Sequence, residues 1–294
     1  MKKLFSILTI LCLLCGCGGI EIIDDITPII QNGQSDSQDA YGQNDDENFQ
    51  IPEYKGKPYI TIGDGVPEFD QKDMDRKAFE EYYELDELGR VTGAYAKLGV
   101  ELMPNQSRGD IYMIKPTGWQ SSRYDFVDGQ SLYNRCHLIA HQLAGEDANE
   151  RNLITGTRYM NTDGMLAFEE MVGDFIRETK THVMYRVTPH YEGDNLLASG
   201  VEMEAYSVED DGESICFHIY AFNVQPDVFI SYETGYNCLE ETAYDEVEVR
   251  ANKQSRVYHL PGMDDYKKMK TSYNLITFDC EADAILAGYR RANY

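Results

Sequence analysis

His137 opens a run of residues, 134–169, whose types and spacing could do chemistry. Asn152, Asn161 and Glu169 follow it at intervals that no simple amphipathic pattern demands. Histidine titrates near neutral pH, so a neutral imidazole at 137 can take a proton from water. An asparagine carbonyl is a hard oxygen donor of the kind magnesium takes while keeping several waters. Guanidinium groups are forked donors that suit phosphate, and Arg135, Arg158 and Arg186 lie in or near the run. These types fit hydrolysis at a phosphodiester, which needs an activated water and a cation to neutralise the growing charge. Taken singly, Asn152 reads as a loop cap, Glu169 as a solvated helix residue and each arginine as a partner for a structural carboxylate. Their joint spacing favours the chemical reading.

The elements that must position these residues are partly legible. Residues 72–85 are charged with scattered aromatics and suit a short amphipathic helix, and residues 89–96 alternate like a strand after a turn. A β-rich run at 111–114 is stopped by Pro116 and Gly118, and lone Trp119 reads as a packing aromatic. Residues 138–143 can start a helix after His137. Residues 161–176 read as a helix, with Met165, Phe168, Val172 and Phe175 at three- and four-residue steps. On it Asn161 and Glu169, eight residues apart, fall close to one face about two turns apart. Residues 182–188, 196–208 and 214–224 then alternate, joined by turn signals at Glu192-Gly193-Asp194-Asn195 and Asp210-Asp211-Gly212-Glu213. That is an antiparallel meander, so the fold class is α+β.

Outside this region the chain bounds the setting. Lys2, Lys3 and an apolar run at 4–14 read as a secretory signal too short to span a bilayer comfortably. It ends in Leu14-Cys15-Gly16-Cys17, which resembles the lipobox of bacterial lipoproteins, with Cys17 in the lipidated position. The expectation is a signal over 1–17 and a membrane-anchored protein working outside the cytoplasm. A flexible acidic tether follows over 18–55. Cys136, Cys216, Cys238 and Cys280 are widely spaced and predict neither a particular disulfide nor a zinc knuckle. The formal net charge of -25 excludes far-field attraction to polyanions, so any such binding must be local and cation-assisted.

Asn134-Arg135-Cys136-His137-Leu138-Ile139-Ala140 resembles the Asp-Arg-Gly-His motif of the DNA/RNA non-specific endonucleases, the ββα-metal nucleases. The resemblance continues through Arg151-Asn152-Leu153-Ile154-Thr155-Gly156-Thr157, Met160-Asn161 and Gly164-Met165-Leu166-Ala167-Phe168-Glu169. It extends to Tyr185-Arg186-Val187-Thr188-Pro189 and Tyr220-Ala221-Phe222-Asn223-Val224-Gln225-Pro226, in the family's order. It implies a ββα-metal core, an antiparallel sheet with flanking helices, over residues 56–240. It implies His137 as general base, Asn161 as the direct ligand of Mg2+ (or Mn2+), and Glu169 as the carboxylate holding the metal's water shell. Asn152 then positions the site, Arg135 belongs to the motif, and Arg158 and Arg186 are candidate phosphate contacts. The expected substrate is DNA, with RNA as an alternative, cut without sequence preference.

Asn134 and Cys136 depart from the motif's aspartate and glycine. Cys136 beside the base invites a thiol-nucleophile reading, but the sequence offers it no oriented partner. His137 and His141 also form a His-x-x-x-His pair, the spacing that puts two zinc ligands on one helical face, although Leu138 stands where a zinc protease has glutamate. A surface lipoprotein that binds nucleic acid on an inactive nuclease fold is the rival from another class. Residues 250–294 resemble a small module similar to the metal-binding region of the Ada repair protein. Met263 and the terminal Ala292-Asn293-Tyr294 stand where its thiolates would be.

Overall fold

The computed structural model describes residues 49–292. The expected signal with Cys17, most of the expected tether, and terminal Asn293 and Tyr294 lie outside the described residues. The described chain begins with β1 (Tyr59–Thr61), α1 (Gln71–Met74), β2 (Phe79–Tyr82) and β3 (Ala94–Leu98). A long loop leads to β4 (Tyr133–His137), α2 (His141–Ala144) and β5 (Leu153–Thr157). A π-helical turn at Met160–Met165 then runs on into α3 (Leu166–Thr179). The meander β6 (Val183–His190), β7 (Gly200–Ser207) and β8 (Cys216–Phe222) follows. The last part carries β9 (Val228–Ile230), β10 (Asn237–Leu239), α4 (Glu240–Ala243), β11 (Val249–Asn252) and β12 (Val257–His259). It closes with α5 (Tyr266–Met269), β13 (Leu275–Phe278), α6 (Glu281–Leu286) and β14 (Arg290–Arg291).

β6, β7 and β8 form the centre of a six-stranded sheet in the order β1-β8-β7-β6-β3-β2, antiparallel throughout. Side chains alternate between the faces of a strand, so Val201, Met203 and Ala205 of β7 share one face with Val187 and Ile219 on its neighbours. That face joins Val172 and Ile176 of α3, Met160 and Met165 of the π turn, and Cys136, Leu138 and Ile139 beside β4 in one core. The α+β class and the meander expected from residues 182–224 are both present. The four-stranded sheet β13-β11-β12-β14 has a second core, built on Tyr258, Ala282 and Ile285, which also takes in Cys238 of β10.

Two local expectations differ. The helix expected over 72–85 shrinks to α1, capped by the Asp70 carboxylate on the Lys72 N–H, because the next residues pair as β2 with β3. Phe79 gains more by packing edge-on against Tyr95 than an isolated amphipathic helix would supply. The run at 111–114 is a turn closed by Ile114 N–H to the Ile111 carbonyl, with no partner strand among the described residues. All four described cysteines are free thiols.

Candidate active site

β4 and β5 pair antiparallel, with His137 opposite Leu153, and the chain leaves β4 directly after the imidazole. Asn152 fixes that exit. Its Oδ1 accepts from the N–H groups of Leu138 (3.1 Å) and Ile139 (2.9 Å), and its Nδ2 donates to the Ile139 carbonyl (3.0 Å). The amide is buried and makes three hydrogen bonds to the backbone after His137, so Asn152 sets the backbone that aims His137 and does not itself line the cleft.

His137 is nearly buried. Its Nε2 lies 3.1 Å from the Asp147 carbonyl oxygen, which can only accept, so Nε2 carries the proton. Nδ1 is then the lone-pair nitrogen, and the Arg108 guanidinium donates to it across 3.3 Å. Burial, reinforced by the Arg108 charge, pushes the imidazole pKa down to about 4 against the opposing pull of the Asp147 carbonyl. The ring is therefore neutral at physiological pH, with its basic atom chosen by the hydrogen bond on the opposite nitrogen.

A cleft of about 780 Å³ opens beside His137, lined among others by Asn134, Arg135, Asn161 and Glu169. Arg108, Arg123 and Arg158 also line it, so four arginines face one concavity in a chain of net charge -25. That gives a local electropositive site on an acidic molecule.

Asn161 stands in the π turn and Glu169 one helical stretch later, on α3. The Glu169 carboxyl is almost wholly buried, and its pKa is driven up to about 8 by burial and by neighbouring Glu170, with Arg108 pulling the other way. Neither the Asn161 amide nor the Glu169 carboxylate hydrogen-bonds to another described residue. The buried Tyr185 hydroxyl, coupled electrostatically to Glu169, also has no partner among the described residues. A hard oxygen donor and a destabilised carboxylate on one wall fit a small divalent cation, which would supply the missing counter-charge.

The remaining sequence-derived residues divide. Arg135 lines the cleft, but its Nη2 donates to the Tyr112 carbonyl (2.8 Å) and its guanidinium lies 4.1 Å from the Trp119 ring. Arg158 lines the cleft and pairs with exposed Asp128 at the rim. Arg186 does not join them: it projects from β6 into a pairing with Glu204 and is absent from the cleft wall. His141 is at the cleft, with Nε2 3.3 Å from Asp147 Oδ1. His137 ends a strand and His141 starts a four-residue helix, so the two never share a helical face. Cys136 is fully buried, and burial drives its thiol pKa far up, which removes it as a nucleophile.

Arg108 was missed in the sequence. It sits alone in the polar loop Asn105-Gln106-Ser107-Arg108-Gly109-Asp110, with no periodicity to mark it, and the fold brings it to His137 from 29 residues upstream. Arg123 was missed for the same reason.

The fold and cleft are of a nuclease type, and residues 72–209 match the family model of the DNA/RNA non-specific endonucleases. A deoxyribonuclease of Streptococcus dysgalactiae subsp. equisimilis is 33% identical over 122 residues, covering 40% of this chain. The match spans only 36% of that relative's length. The crystal structure of NucA from Streptococcus agalactiae with magnesium bound is similar at a TM-score of 0.56 and 25% identity, over 64% of this chain and 89% of NucA. The structure of Sda1 nuclease with bound zinc shares the fold, at a TM-score of 0.52 and 24% identity over 61% of this chain and 95% of that one.

Proposed function

We propose that this protein is an endonuclease that hydrolyses DNA, with RNA as an alternative substrate, without sequence preference. The observation that carries the reading is the His137 imidazole, held neutral with Nδ1 as its basic atom beside an arginine-lined cleft. Nδ1 takes a proton from the attacking water as that water closes on phosphorus. Asp147 holds the Nε2 proton through its carbonyl, keeping the tautomer fixed while the ring becomes cationic. Arg108 leaves Nδ1 for the phosphate when substrate arrives, joined there by Arg158. Arg135 keeps the 111–114 turn in place through its carbonyl contact.

Asn161 and Glu169 are the residues that would hold a divalent cation, and the magnesium bound by NucA supports Mg2+. When bound, the cation neutralises charge gathering on the phosphate and assists the leaving oxygen. Contacts made only to phosphate carry no sequence information, which suits indiscriminate cutting. The lipobox-like Cys17 and the signal-like leader support a lipid-anchored protein on the outer face of the cell membrane.

Plasmid DNA incubated with the leaderless protein and magnesium, with and without chelator, tests this. The expected result is magnesium-dependent degradation abolished by His137→Ala. Intact plasmid with the unsubstituted protein would overturn the enzyme reading, and a gel shift without cleavage would favour a binding protein.

A further inference from the structure

The other face of the central sheet carries a second constellation that the cleft does not use. Glu202 and Glu204 are two residues apart on β7, so they project together on the face opposite Val201, Met203 and Ala205. The register sets His218 of β8 directly across from Glu204 on one side and Arg186 of β6 across from it on the other. His190, at the end of β6, meets Glu202 from the other side: its Nε2 is 2.8 Å from Glu202 Oε2. The His218 Nε2 hydrogen-bonds the other oxygen, Glu202 Oε1. Ligand atoms of Glu202, Glu204 and His218 all lie within 4.8 Å of one another.

Both carboxylates are nearly buried, at 8% and 4% exposed, and buried charge must be matched. Arg186 matches Glu204 with two hydrogen bonds, of 2.5 and 2.7 Å. Glu202 is met by the two imidazoles. With both neutral, the group of Glu202, Glu204 and Arg186 carries one uncompensated negative charge inside the protein. The cluster therefore offers buried oxygen and nitrogen donors around unmatched negative charge.

We infer that Glu202, Glu204 and His218 form a binding site for a zinc-like divalent cation that ties β7 and β8 together. One imidazole nitrogen and two carboxylates make a three-residue donor set of the kind zinc takes with a water in its fourth position, whereas magnesium has little use for imidazole. Arg186 on Glu204 and His190 on the second Glu202 oxygen would remain as outer partners that orient the ligating carboxylates. Binding requires His218 Nε2 to present a lone pair, so its proton moves to Nδ1 or leaves for solvent, and affinity falls as pH falls. The cleft elements pack on the opposite face of the same strands. The site's role is therefore structural and its existence independent of the proposed nuclease chemistry.

Cobalt(II) titration of the full chain in an Asn161→Ala background, which weakens cation binding in the cleft, gives a readout separate from activity. The expected result is one equivalent of cobalt with the visible absorption of a four-coordinate nitrogen–oxygen site, displaced by zinc and weakened at acid pH. Adding His218→Asn or Glu202→Gln should abolish that absorption while circular dichroism shows the fold intact. Two replacements guard against one of them simply misfolding. A folded Asn161→Ala protein with no such absorption would overturn the inference, as would the same absorption persisting after both replacements.

Discussion

The Arg108 guanidinium hydrogen-bonds the one nitrogen of His137 that can act as a base, 3.3 Å away. A cation there disfavours the imidazolium, and burial, the larger influence, works in the same direction. Arg108→Ala should therefore raise the His137 pKa from about 4 toward the ordinary histidine value of 6.5. The acidic limb of kcat/KM against pH should move to higher pH by up to about one unit, with burial holding the rest of the shift, because the base must be deprotonated to work. Loss of a phosphate donor should also lower the plateau roughly 100-fold. A pH–rate series on plasmid cleavage checks both, and an unmoved acidic limb would sever Arg108 from the base.

Glu169 gives a prediction of the opposite kind. Its folded-state pKa of about 8 lies above the ordinary carboxylate value of 4.5, so it costs stability as pH rises through that window and costs nothing below it. Glu169→Gln should stabilise the chelated protein by about 2–4 kcal/mol at pH 8.5 and by little near pH 4. The same replacement should shrink the stabilisation that magnesium confers. Thermal unfolding with chelator and with magnesium at both pH values measures this; a variant less stable than the parent at pH 8.5 in chelator would refute it.

Asn152 should show its positioning role in the balance between stability and rate. Asn152→Ala strips the Ile139 N–H and carbonyl of their side-chain partner, while the Leu138 N–H keeps the backbone carbonyl of residue 152, costing about 2 kcal/mol by urea unfolding. Asn152→Asp keeps the acceptor for Leu138 and Ile139 and should recover much of the activity lost in the alanine variant. Equal activity in the two would argue against this role.

The departure at Cys136 has a counterpart across the hairpin. A Cβ built on Gly156 would lie 2.3 Å from Cys136 Sγ and 2.5 Å from Met160 Cε. Gly156→Ala should therefore destabilise the protein by about 1–3 kcal/mol, and Cys136→Gly should relieve most of that penalty in the double variant. Native protein should also resist alkylation at Cys136, as read by mass spectrometry before and after denaturation.

The chemistry at His137, Asn161 and Glu169 could be read from types and spacing because those residues lie in one continuous stretch. Arg108 could not, since only tertiary contact brings a loop residue to Nδ1. Arg186 illustrates the reverse limit. It sits in a matching segment, and nothing in its neighbours signals that Glu204, 18 residues later, is paired with it through the sheet register. The helix expected at 72–85 gave way to β2 because strand pairing is non-local. The meander was legible because alternation and turn residues are local signals.

The π turn between Met160 and Met165 acts as a gear tooth in an otherwise regular helix. Each residue of an α-helix advances the side-chain direction by about 100°, so a regular helix from Asn161 to Glu169 would leave the two about 80° apart, whereas the wider π turn takes up one residue and brings them within about 20°. The same residues can have the more regular helix or the better-aligned pair of oxygen donors, but not both.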